Sequence, residues 1–90
     1  MKEPIISKFY GITIRMYFRD NKQHNLPHMH VNYNEYRAIF DLNGNIIEGQ
    51  IPKSQQKIIQ AWIEIHNKEL NDLWNLLLQG KEGFKIKPLK

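Results

Sequence analysis

From Gly11 onward, apolar Ile12, Ile14, Met16 and Phe18 alternate with Thr13, Arg15 and Tyr17, the period of two that a half-buried strand requires. The pattern predicts a first strand over about 11–18. Ile5, Ile6, Phe9 and Tyr10 can extend it backwards through a bulge or bend at Gly11. The polar run Asp20-Asn21-Lys22-Gln23-His24-Asn25-Leu26-Pro27 breaks the alternation and reads as a surface loop. A second strand over 28–33 follows, with His28, His30 and Asn32 on one face and Met29, Val31 and Tyr33 on the other. Asn34-Glu35 turns the chain into a third strand over 36–42, where Ala38, Phe40 and Leu42 alternate with Arg37, Ile39 and Asp41. Asn43-Gly44 then supplies a strong hairpin signal, because a type I′ turn needs two residues at positive φ. The chain returns as a fourth strand over 45–51.

Pro52 marks a change of period. Ile59, Trp62, Ile63, His66, Leu70, Leu73, Trp74 and Leu77 follow helical spacing without a phase slip, and Gly80 stops the run. One amphipathic helix over 53–79 is expected. At 1.5 Å per residue it would be roughly 40 Å long, against the ~30 Å width of so small a domain, so a split at 66–68 is the alternative. Residues 81–90 form a basic tail in which Phe84 and Ile86 can pair briefly at a sheet edge. The expected fold class is α+β: one domain over 1–90, an antiparallel four-stranded meander packed against the long C-terminal helix. Its core is expected to hold Ile12, Ile14, Met16, Phe18, Phe40, Ile59, Trp62, Ile63, Leu70, Leu73 and Trp74. His66 belongs to that core or its edge.

Ninety residues suffice for one core, and with no Cys neither a disulfide nor a Cys-based zinc site can support it. No apolar run approaches the roughly 18 residues of a membrane span, and Met1-Lys2-Glu3-Pro4 carries no apolar export segment, so a cytoplasmic protein with no membrane partner is expected. Thirteen Lys and Arg oppose nine Asp and Glu. Counted along the chain, the charge is +3 over 1–30, −2 over 31–50, zero over 51–79 and +3 over 80–90. Basic ends of this kind attract phosphates, but a net +4 alone does not set a nucleic-acid binder apart from an ordinary soluble domain.

Three of the four histidines fall within seven residues, in His24-Asn25-Leu26-Pro27-His28-Met29-His30. On a strand His28 and His30 project from one face roughly 6–7 Å apart, close enough to converge on one phosphate or one metal. Imidazoles titrating near neutrality can act as a general acid and base in phosphodiester cleavage, which makes His28 and His30 the candidate catalytic pair. With His24 or Asp20 from the loop, the same two can instead hold a divalent metal, Zn²⁺ or Mn²⁺. No cofactor is required by the first reading. Arg15 and Tyr17 share the polar face of the first strand and Arg19 follows, so these three are the candidate binding residues, with a guanidinium able to grip a phosphate. The bland reading keeps the histidines structural, packed on aromatics or bonded to carbonyls. Trp62 and Trp74 lie on the helix stripe and read as core rather than base-stacking platforms.

The strings Ser7-Lys8-Phe9-Tyr10-Gly11-Ile12-Thr13-Ile14-Arg15-Met16-Tyr17 and Pro27-His28-Met29-His30-Val31 resemble a small bacterial family called domain of unknown function 4160. So do Glu48-Gly49-Gln50-Ile51-Pro52 and the stretch from Gln60 to Leu70, and the likeness covers about residues 5–77. Members usually carry Asp-His ahead of the Pro-His-X-His string; here Asp20 is followed by Asn21, and a histidine stands at position 24. The resemblance implies a toxin–antitoxin-type operon component whose partner is a small protein encoded by a neighbouring gene. Three functional readings follow: a protein that binds or cleaves RNA through the His cluster, a non-catalytic module for a protein partner, and a metal-dependent hydrolase. An unusually long helix on a small domain and a meander with two open edges point further to a homodimer.

Overall fold

A computed structural model describes residues 4–17 and 26–89. Five strands, β1 (Ile5–Phe9), β2 (Ile12–Arg15), β3 (His28–Tyr33), β4 (Tyr36–Asp41) and β5 (Ile46–Gln50), form one antiparallel sheet in sequence order. Two helices follow, α1 (Lys53–Ile65) and α2 (Asn67–Leu78). The α+β class and the antiparallel meander hold; the four strands become five and the one helix becomes two.

The extra strand is the N-terminal segment. Instead of extending β2, it folds back on it through Tyr10 (φ 50°) and Gly11 (φ 75°), which connect the directly opposed Phe9 and Ile12. Two successive residues at positive φ make a hairpin whose twist matches the strands. A register shift between Ile5 and Ser7 lets Ile6 and Ser7 both be buried, which erases the alternation in the sequence. The β4–β5 connection also differs from a two-residue Asn-Gly turn. Gly44 N–H reaches Asp41 O at 3.3 Å, Gly44 sits at φ 91°, and Asp41 N–H bonds Asn45 O at 2.9 Å. That is a three-residue connection with a left-handed glycine at its end.

The helix breaks at His66 (φ −108°, ψ 25°), as the split alternative requires. An unbroken helix of roughly 40 Å would overrun a molecule whose longest extent is 34 Å. At the break Asn67 Nδ2 donates to Leu42 O at 2.6 Å and the His66 imidazole bonds the Glu69 carboxylate, tying the helix corner to the end of the β4 hairpin and to itself. Gly80 (φ 73°) ends α2, with Lys81 N–H to Leu76 O at 2.9 Å and Gly80 N–H to Leu77 O at 3.0 Å, a Schellman closure.

Helices and sheet enclose the core. Ile12, Ile14, Met16, Met29 and Phe40 are wholly buried with Ile59, Trp62 and Leu70, and Ile63, Leu73 and Trp74 nearly so; Phe18 lies outside the described residues. The tail contributes too. Ile86 is 3% exposed, its N–H donates to Ile6 O at 2.8 Å, and Trp62 Nε1 donates to Lys87 O at 2.9 Å. The basic segment therefore lies along the outer edge of β1, and the expected brief pairing involves Ile86.

Candidate functional site

Alternation on β2 sends Ile12 and Ile14 into the core and leaves Thr13 and Arg15 on the face away from the helices. Antiparallel register sets Arg15 opposite His30 and Thr13 opposite Asn32, and on the far side of β3 sets Asn32 opposite Arg37 and His30 opposite Ile39. Glu48 of β5 faces Ile39. Directly opposed residues share a face of a sheet, so Arg15, His30, Asn32, Arg37 and Glu48 gather on one side. They and Tyr17 line a concavity of about 600 Å³.

Among the described residues, two contacts help to order this face. Arg15 Nη1 donates to Asn32 Oδ1 at 3.3 Å, and the Tyr17 and His30 rings stack with centroids 4.6 Å apart and planes 11° from parallel. Both offer what an anionic, aromatic ligand needs: a guanidinium held in place and a flat π surface beside it. At the end of the face Asp41 organises the β4–β5 connection. Its carboxylate accepts the Asn43 and Asn45 N–H groups at 2.9 Å each and Asn45 Nδ2 at 3.1 Å. Partial burial raises its pKa, but the bonds from Asn45, then Asn43 and Gly44, outweigh that and hold the carboxyl below the ordinary aspartate value.

His28 and His30 are not equally placed on this surface. Their rings stand edge to face 5.4 Å apart, yet His30 is half-buried on the polar face while His28 is 0% exposed, packed 5.2 Å from the Trp74 ring of α2. His28 Nδ1 lies 2.9 Å from Leu26 O, and because a carbonyl only accepts, Nδ1 carries the proton of that bond. Alternation alone places both imidazoles outward; as the first residue of its strand, His28 instead borders the helix layer. Arg19, His24 and Asp20 lie outside the described residues. Among the described residues no three His, Asp or Glu side chains are grouped to hold a metal ion, and no helix is long and apolar enough to cross a membrane. Alternation places Asn32 beside His30, but its grouping with Arg37 and Glu48 is not legible in the sequence because that shared face depends on the β3–β4 and β4–β5 registers. The Asn34-Glu35 turn was the signal that would have set Asn32 opposite Arg37.

These features define a class: a small α+β protein whose meander is covered by a helix pair on one face and carries a cationic, aromatic hollow on the other. Comparison with family models gives the family. The model described as Domain of unknown function (DUF4160) matches residues 11–75, and the chain belongs to that family. The match includes Arg15, Tyr17, His28, His30, Asn32, Arg37 and Glu48 and leaves out β1 and the tail. Neither the comparison with curated proteins nor that with solved structures gave a match.

Proposed function

We propose that the protein binds single-stranded RNA on the helix-free face of its sheet, as a toxin–antitoxin-type component whose partner is the small product of a neighbouring gene. One observation carries the RNA reading: two guanidiniums, Arg15 and Arg37, and the stacked Tyr17–His30 pair line a single concavity. Phosphates supply affinity to such a surface and unpaired bases supply stacking. Burial of His28 favours binding over acid–base cleavage, since among the described histidines His30 alone stands at the hollow.

The test is fluorescence anisotropy with a labelled oligouridylate at low salt. Arg15→Ala and Arg37→Ala are each expected to weaken binding roughly tenfold or more, the usual size of a lost charge-assisted hydrogen bond. The RNA is expected to remain uncut. Absence of binding to wild-type protein would overturn the reading, and cleavage lost in His30→Ala would restore the catalytic one.

A further inference from the structure

The registers that build the hollow also align a second set of side chains, one from each strand. Lys8 is opposite Thr13, Thr13 opposite Asn32, Asn32 opposite Arg37, and Arg37 opposite Gln50. The row crosses all five strands on the helix-free face. Every member carries a hydrogen-bond donor and none is a carboxylate. Lys8, Arg37 and Gln50 are exposed, Thr13 and Asn32 half-buried, and neither Lys8 nor Arg37 forms an ion pair among the described residues. Glu48, the acidic group of the hollow, lies in the neighbouring row, opposite Ile39.

We propose that this row is a track for the phosphodiester backbone, so that a bound RNA strand runs across the β-strands from Lys8 toward Gln50 and its bases turn toward Tyr17 and His30. The inference rests on the RNA reading above and adds the direction and extent of the bound strand. Strands 4.7–4.9 Å apart place Lys8 and Arg37, three spacings distant, ~14 Å from each other. A single nucleotide in the hollow reaches Arg37 and not Lys8; a strand of several nucleotides meets both. A row in which every side chain carries a donor, two of them cationic, and none a carboxylate matches a run of phosphates, which presents only acceptors to it.

The experiment compares a uridine dinucleotide with a long oligouridylate, titrated against wild type, Lys8→Ala, Arg37→Ala and Gln50→Lys across a salt series. Circular dichroism melting confirms that each variant is folded. For the long strand, Lys8→Ala and Arg37→Ala should each reduce the salt slope of log K by about 0.7, the value per phosphate contact on a single strand, and Gln50→Lys should raise it by the same amount. For the dinucleotide only Arg37→Ala should matter. Lys68→Ala, in the helix layer where Lys68 pairs with Asp72, should change neither. Long-strand binding that depends on Arg37 yet ignores both Lys8→Ala and Gln50→Lys overturns the track and leaves the hollow as the RNA site. Binding of no RNA overturns both.

Discussion

Arg15 and Asn32 are joined diagonally across β2 and β3: Nη1 donates to Oδ1 at 3.3 Å although Arg15 stands opposite His30 and Asn32 opposite Thr13. The bond turns the guanidinium along the face rather than out to water. It fixes one cation while leaving its other donors available, and a pre-ordered fork gives up less freedom on meeting a phosphate. Asn32→Ala is therefore expected to weaken oligouridylate binding several-fold with little change in melting temperature. Asn32→Asp should do more harm, because a carboxylate pairs with Arg15 and repels phosphate. Anisotropy titration decides it, and wild-type affinity in both variants would show that the contact is incidental.

Asp41 predicts an acid-side loss of stability. Its folded pKa lies below that of the unfolded chain, where an aspartate titrates near 3.9. The folded state thus binds protons less readily than the unfolded one. The stabilisation is complete above the unfolded pKa and disappears as the pH falls through the folded one. Denaturant unfolding between pH 7 and pH 2.5 should show wild type losing stability below about pH 4. Asp41→Asn should start lower and fall less over that range. Parallel curves for the two proteins would refute the assignment.

Gly49 sits at φ 84° on β5, and a Cβ there would stand 2.3 Å from Arg37 O and 2.9 Å from Ala38 Cα. Backbone cannot yield as a flexible side chain can. Gly49→Ala should cost roughly 1–3 kcal/mol from the dihedral alone, and more from the contact. Because Glu48 and Arg37 flank this point of the hollow, RNA affinity should drop as well. Chemical denaturation gives the first effect; a midpoint equal to wild type would contradict the geometry.

The tail is expected to be a structural part of the molecule. Ile86→Ala removes a buried side chain and should destabilise by about 2–5 kcal/mol. Trp62→Phe leaves Lys87 O without its donor and should cost about 1 kcal/mol beyond the change in packing. If Ile86→Ala unfolds at the wild-type denaturant concentration, the tail contributes nothing to the core.

Where alternation was clean, at Ile12 to Met16 and Ala38 to Leu42, the sequence was a faithful guide to strand and face. It failed at Ile5 to Tyr10 because the bulge buries two neighbours and because tyrosine rarely adopts the positive φ it takes there. The helix break left no mark on the hydrophobic stripe. His66 N–H still bonds Trp62 O and Leu70 N–H bonds His66 O, so the phase carries through and only the excess length betrays the corner. At the site, Arg15, Tyr17 and His30 were visible from one strand at a time. Asn32 could be placed beside His30 by alternation, but its meeting with Arg37 and Glu48 could not, since they come together only once neighbouring strands are in register. His28 shows the limit of periodicity at a strand's first residue, where end position rather than alternation decides what a ring touches.

Each pairing of whole strands joins neighbours in sequence, and the β1–β2, β3–β4 and β4–β5 hairpins can close as soon as their short turns form. The bond from Ile86 to Ile6 spans nearly the whole chain. A contact so distant carries the greatest loop-closure cost, and Lys87 must also wait for the Trp62 indole. The C-terminal segment is thus expected to order after the hairpins. Its departure would bare the backbone of β1 at the sheet border while the ladders of β2 to β5 stay paired.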